Sequence, residues 1–264
     1  MPLLAEITAP VSWRTVDFIS DLHLQASEKA TFNAWQHYLQ NTPADAVFVL
    51  GDLFEVWVGD DVVGDTASGG PNFESRCAQV LQNAGGRLSL FFMHGNRDFL
   101  AGPTLMAHCH AQLLHDPCTL IFMQQRWLLS HGDALCLDDV PYQQFRRLVR
   151  SAQWQADFLA KPLAERQVLA RQMRQQSEAS KQTSPVFADA DTALALRWLH
   201  EAQASTLIHG HTHQPADHVL DSLHTRIVLS DWDAAADPPR LQVLRLTENG
   251  LARVQLLTPA HTAG

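Results

Sequence analysis

Cysteine is scarce in this chain, with four in 264 residues: Cys77, Cys109, Cys118 and Cys136. None forms a C-x-x-C pair, which excludes a disulfide framework and a structural zinc knuckle and fits a reducing compartment. A basic excess is lacking too. The 19 Lys and Arg against 28 Asp and Glu leave a net charge of −9, so no nucleic-acid partner is expected, because polyanion binding needs a basic footprint. No run approaches the roughly 20 uncharged apolar residues of a membrane-spanning helix. The N-terminal MPLLAEITAPVSWRTVDF carries Glu6 early and lacks the basic region and long apolar core of a signal peptide. These absences predict a cytosolic protein that can still touch a membrane surface.

What is present is core material. With 46% hydrophobic and 18% charged residues the chain reads as one α/β domain over 1–264, with an insertion. Short apolar runs bounded by turn residues predict strands at Thr15–Ile19, Ala46–Leu50, Arg87–Met93, Arg126–Ser130, Thr206–Ile208 and Arg226–Leu229. Near the end, Leu241–Thr247 and Leu251–Leu257 flank Glu248-Asn249-Gly250, a hairpin signal. Helical spacing marks Lys29–Gln40, with Ser27 as its expected N-cap, then Phe73–Gln82 and a third helix after Pro103.

The segment 141–185 stands apart, being long and helical in pattern, and predicts an inserted helical cap. It holds eight basic residues (Arg146, Arg147, Arg150, Lys161, Arg166, Arg171, Arg174 and Lys181) against Asp157, Glu165 and Glu178. That local balance of +5 leaves −14 on the rest of the chain. Phe145, Leu148, Val149, Trp154, Phe158, Leu159, Leu163, Val168, Leu169 and Met173 supply its apolar faces. Ordinary helix packing accounts for such a stripe; a basic, greasy cap over an anionic ligand accounts for it as well.

The chemistry sits at the ends of five predicted strands. They finish in Ser20-Asp21-Leu22-His23, Gly51-Asp52, His94-Gly95-Asn96-Arg97-Asp98, His131-Gly132-Asp133 and His209-Gly210-His211-Thr212-His213. Each motif alone is a common turn. Together they set carboxylates, an amide and imidazoles beyond the carboxyl ends of strands, where open α/β sheets bind ligands. A mixed imidazole and carboxylate set suits zinc, manganese or iron rather than magnesium or calcium.

In this order, D-x-H, G-D, G-N-x-D, H-G-D and G-H-x-H resemble the calcineurin-like metallophosphoesterase superfamily, from Asp21 to His213. The resemblance implies an α/β sandwich of two packed mixed β-sheets flanked by helices. It implies two divalent metal ions, with Asp21, His23 and His211 on one, Asn96, His131 and His209 on the other, and Asp52 bridging both. An aspartate has two oxygens and can span ions roughly 3.5–4 Å apart, which can activate a shared water. Most members carry histidine after the asparagine, where it acts on the leaving group; here the residue is Arg97. Arginine, with a pKa above about 12, donates no proton but clamps phosphate oxygens. A leaving group that is already acidic, such as a phosphate monoester released from a diphosphate, tolerates that exchange. Arg97, Asn96 and Asp52 are therefore the catalytic candidates.

The longer strings Phe18–Leu24, Gly51–Asp61, His94–Leu100 and Ser130–Cys136, with Asp138-Asp139, resemble the UDP-2,3-diacylglucosamine hydrolase family. That resemblance implies hydrolysis of the diphosphate at the α-phosphorus to UMP and 2,3-diacylglucosamine 1-phosphate in lipid A synthesis, usually with manganese. It also implies a lipid-linked UDP-sugar as the partner, no obligate protein partner, and peripheral attachment to the cytoplasmic face of the inner membrane. By the same resemblance Asn96, Arg97, Asp139, Ser177 and His209 contact substrate, and Lys181 replaces a family lysine by a shift of register. Beyond Ser177 the match weakens. Two other readings stay open: a superfamily phosphodiesterase or phosphatase for a small nucleotide, which would have a short connection between His131 and His209, and a non-catalytic scaffold, which need not keep all seven ligands.

Overall fold

The computed structural model describes residues 4–64, 70–183 and 189–257, with the backbone alone over 175–183. The chain opens on a short strand, β1 (Ala5–Thr8), and then enters the first of the predicted runs, β2 (Val16–Ile19). Helix α1 (Lys29–Asn41), strand β3 (Ala46–Leu50), helix α2 (Phe73–Gly85), strand β4 (Ser89–Met93), helix α3 (Pro103–His108) and strand β5 (Ala111–Leu114) follow. These strands are parallel in the order β2-β3-β4-β5. The predicted hairpin, β11 (Gln242–Thr247) and β12 (Gly250–Gln255), extends that sheet antiparallel beyond β2.

The second sheet takes β1, β6 (Cys118–Phe122), β7 (Gln125–Leu129), β8 (Thr206–His209), β10 (Thr225–Val228) and β9 (Asp217–Val219), in that order. It mixes parallel and antiparallel pairs. Strands β1, β5, β6 and β9 were not expected. β9 has three residues and β1 and β5 four, and half-exposed pieces that short leave no apolar run to read. Helix α7 (Thr192–Ala202), capped by Asp191, was also missed between the insertion and β8. Ser27 is not the cap of α1: that position belongs to Glu28, which makes no side-chain capping bond.

Alternation along the strands sorts the core into layers. Val16 and Phe18, Phe48 and Phe91, and Leu120, Leu129 and Ile208 meet between the sheets, with Phe48 stacked on Phe91 at 4.3 Å. Val47, Val49, Leu90 and Phe92 face outward onto α1, α2 and α3. Leu128 and Leu207 face α7 on the opposite side.

The helical insertion consists of α4 (Val140–Val149), α5 (Ala152–Leu159) and α6 (Leu163–Thr183); positions 184 and 185 lie outside the described residues. Trp154 stacks on Phe158 and approaches Phe99, and Arg150 lies over the Phe99 ring. Four of the eight basic residues turn toward the protein instead of the solvent. Arg146 pairs with Asp133, Arg150 donates to the Gly95 carbonyl, buried Arg166 binds the Val58 carbonyl and Asp61, and Arg174 pairs with Glu55. Gly59, at φ 127°, makes room for this: a Cβ there would meet the Arg166 guanidinium at 2.3 Å.

Asp17 is the charged residue most deeply set in the sheet, at 0% exposure. Its carboxylate accepts from Tyr38 at 2.9 Å, Thr42 at 2.8 Å and the Arg245 fork at 2.7 and 2.8 Å, joining β2, the end of α1 and β11. Removing one partner of such a buried pair costs about 3–5 kcal/mol, and Asp17→Ala is expected to lose that much in urea unfolding. The four cysteines are free and buried, and burial pushes the Cys109, Cys118 and Cys136 thiols up to about 12. Titration with an aromatic disulfide reagent at pH 8 is expected to find no reactive thiol in the native protein and four after denaturation.

Candidate metal centre

The motif-bearing strands β2, β3 and β4 of one sheet, and β7 and β8 of the other, release their loops at one end of the sandwich. Beyond Ile19 the pairing continues between loops: Leu22 and His23 donate to the Asp52 carbonyl, and Leu24 bridges to Phe54. The side chains are then turned by backbone that side-chain-bearing residues rarely adopt. Asp21 (φ 55°), His23 (φ 48°), Asp52 (φ 52°), His211 (φ 67°) and His213 (φ 53°) are all left-handed, at a cost of order 1–3 kcal/mol each. Close approach adds a glycine requirement. A Cβ on Gly95 would stand 2.0 Å from Asp52 Oδ1, and one on Gly210 would stand 2.2 Å from Asp21 Oδ2.

Both aspartates divide their oxygens. Asp21 Oδ2 accepts from Ser20 Oγ at 2.6 Å and from the His211 amide at 2.8 Å, whereas buried Oδ1 has no hydrogen-bond partner. Asp52 Oδ1 accepts from the Arg97 amide at 2.8 Å, and Oδ2 points inward, 4.0 Å from His23 Nε2 and 3.8 Å from His131 Nε2. Around Asp21 Oδ1 stand His213 Nε2 at 3.4 Å and His23 Nε2 at 4.0 Å, with the two imidazole nitrogens 3.3 Å apart. Asn96 Oδ1 sits 3.0 Å from His131 Nε2 and 2.8 Å from His211 Nδ1. His131 Nδ1 is 2.9 Å from the Leu50 carbonyl, which places an N–H there and turns Nε2 toward the centre.

Among the described residues, carboxylates and imidazoles close enough to share an ion form two groups. One is Asp21, His23 and His213; the other is Asp21, Asp52 and His131, with Asn96 against His131 and His211 against Asn96. His209, expected as a ligand, belongs to neither group, as is also true of His211, and its buried Nε2 has no hydrogen-bond partner. It is still in β8, where it alternates with Ile208 and shares the face of Leu207 toward α7, and its Nδ1 is 2.8 Å from the Gly210 carbonyl. Burial lowers its pKa to about 4. Only after Gly210 does the chain turn inward, so the imidazoles of the H-G-H-T-H segment that reach the centre are His211 and His213. The expectation omitted His213. The signal was in the motif itself: the glycine of G-H-x-H is Gly210, and the two histidines count from it.

The electrostatics fit a cation. Burial opposes charge on Asp21, yet His213, His131 and His23 hold its carboxyl well below the usual range. Burial also works against charge on His131, but Asp52, Asp133 and Asp21 push it up to about 9. Burial lowers His211 to about 3, so its lone pair is free at neutral pH. Asp98, packed beside Asp52, is pushed up to about 7 by burial and by that neighbour. An orphaned carboxylate oxygen, a second inward oxygen, and converging imidazole and amide atoms make a donor set of the kind that mixed imidazole–carboxylate metal sites use.

The remaining candidates scatter. Arg97 lies at the centre, with its guanidinium 3.7 Å from Glu55. Asp139 is the N-cap of α4, accepting from the Tyr142 amide at 3.1 Å. Tyr142 stacks on His211 at 5.9 Å and donates to Asp133. The side chains of Ser177 and Lys181 lie outside the described residues. Sequence reasoning gave no role to Glu55 or Tyr142, because neither has a ligand's spacing.

This constellation is that of a phosphoesterase, and the chain belongs to the calcineurin-like phosphoesterase family, whose model matches residues 14–215. Within it the curated relatives are named UDP-2,3-diacylglucosamine hydrolase. The one from Chromobacterium violaceum is 44% identical over 82% of this chain and 90% of its own length. That from Bordetella pertussis is 41% identical over 88% of this chain and 91% of its own. A third, from Stenotrophomonas maltophilia, is 38% identical over 89% and 96%.

The geometry separates two neighbouring histidines experimentally. His213→Ala is expected to weaken divalent-ion binding by at least tenfold in a metal titration of the stripped protein, and His209→Ala to leave it within about threefold. The reverse order would restore His209 as a ligand.

Proposed function

We propose that this protein hydrolyses the diphosphate of UDP-2,3-diacylglucosamine, water attacking the α-phosphorus, to give UMP and 2,3-diacylglucosamine 1-phosphate. The observation that carries the reading is Arg97, a fixed cation whose own amide holds Asp52 Oδ1, set where a proton donor would otherwise act. Asp21, His23 and His213 would hold one divalent ion, Asn96, His131 and His211 the other, and Asp52 would serve both, with manganese the proposed metal. When bound, such a pair polarises the phosphoryl group and supplies the attacking water.

The chain's own residues do the rest. Arg97 neutralises charge on the phosphoryl oxygens as it develops. Without a proton donor at that position, the reaction favours a leaving group that departs as an anion, which the sugar 1-phosphate does. Asn96 and Asp139 are proposed as further substrate contacts, together with Ser177 and Lys181. His209, buried in β8, is not.

The helical insertion supports a lipid substrate. Val140 (54% exposed), Leu148 (56%), Val168 (43%), Leu159 (42%) and Phe145 (39%) leave apolar side chains in solvent on α4, α5 and α6. Acyl chains leaving a bilayer need apolar cover of this kind, and the same surface is proposed to rest on the cytoplasmic face of the inner membrane. Among the described residues no helix is long and apolar enough to cross a membrane.

The test offers the manganese-loaded protein UDP-2,3-diacylglucosamine beside bis-p-nitrophenyl phosphate. Release of UMP well above background is expected. Brisk cleavage of the small diester with UMP only at the background rate would sink the lipid reading and favour a phosphodiesterase for small nucleotides.

A further inference from the structure

Glu55 takes no part in either ion-sharing group, yet it faces a candidate ligand, the arginine of the centre and a helix of the insertion. Its side chain is 8% exposed. Its place is fixed by the loop pairing that extends β2 and β3: the Glu55 amide donates to the Leu24 carbonyl at 3.1 Å, setting it beside His23. One carboxylate oxygen, Oε2, lies 3.0 Å from His23 Nδ1. The other, Oε1, faces Arg97 at 3.7 Å and pairs with Arg174 of α6.

We propose that Glu55 is a positioning residue that orients His23 toward the metal centre and ties that ligand to Arg97 and to helix α6. The proposal rests on the two-metal reading above. A carboxylate 3.0 Å from Nδ1 fixes which way the ring faces, with Nε2 on the side of Asp21 and Asp52, both 4.0 Å away. Outer partners of this kind orient metal-binding imidazoles, and their loss typically costs 10–100-fold in metal affinity. The two arginines give the buried Glu55 side chain oppositely charged partners, as a charged group in such a place requires. Through Oε1 the same group holds Arg97 near the phosphoryl position and draws α6 down onto the site.

Two variants separate the parts of this role. Glu55→Ala removes both the acceptor facing His23 and the charge facing the arginines; Glu55→Gln keeps an acceptor and loses the charge. Manganese alone is titrated into stripped wild-type and variant proteins, and melting temperatures are read on the stripped forms. One of the two equivalents is expected to bind about 10–100-fold more weakly in Glu55→Ala and roughly 3–10-fold more weakly in Glu55→Gln. The Glu55→Gln enzyme is expected to show a raised KM with kcat less affected, since Arg97 loses its anchor. In a His23→Ala background the Glu55 exchange should add nothing to the metal defect, as expected for residues acting in one chain.

A purely structural Glu55 would lower the melting temperature of the stripped protein and leave metal affinity alone. Wild-type affinity for both equivalents in whichever variant folds overturns the proposal. A wild-type protein that takes up no manganese overturns the metal reading and this inference with it. Metal uptake without lipid hydrolysis overturns only the substrate reading.

Discussion

Two buried aspartates at neighbouring strand ends, each with one oxygen held by the protein and the other turned inward, are the constraint on which the rest of this structure depends. Asp21 and Asp52 share the space at the centre with His23, His131 and His213, and burying that much negative charge is tolerable only where positive charge comes to meet it. The surroundings follow from this requirement. Gly95 and Gly210 are small because a carboxylate occupies the volume a side chain would need. The left-handed turns at Asp21, His23 and Asp52 are held by pairing between the loops and by the parallel sheet beneath them.

The fold was legible where strands are long and covered on both faces. Ala46–Leu50 appears with the bounds its apolar run suggests, and the Glu248-Asn249 turn closes the terminal hairpin with Thr247 opposite Gly250. It was illegible where pairing rather than composition makes the strand, as in β9, three residues held against β10. The motifs named the residues that the fold brings to one end of the sandwich: Asp21, His23, Asp52 and His131 stand within reach of a shared ion, with Asn96 and His211 beside them. His209 entered the expected ligand set by counting from the end of an apolar run. A strand residue alternates with its neighbours, and β8 continues one residue too far for His209 to turn inward. Glu55 was unreadable because its role depends on a loop-to-loop pairing that no local pattern announces.

The basic character of the helical insertion also divides in two. Arg146, Arg150, Arg166 and Arg174 are engaged with Asp133, a backbone carbonyl, Asp61 and Glu55, so they fasten the helices to the sandwich. Composition reported a cationic segment; the structure spends half of that charge on attachment. Among the described residues, what the insertion turns to solvent sets the apolar Leu148, Val168 and Leu159 beside exposed Arg147 and Arg171, a greasy surface with residual positive charge.

The centre also draws its donors from both sheets. Asp21, Asp52 and Asn96 follow strands of one sheet, whereas His131, His211 and His213 follow strands of the other. Ions held there would rivet the two halves of the sandwich at their shared edge. Anything that binds the folded state alone stabilises it as its free concentration rises above its dissociation constant, by about 2.7 kcal/mol at a hundredfold excess. The lifetime of this fold in a cell would then track the supply of the metal, and starvation for it would thin the protein's numbers as well as silence its chemistry.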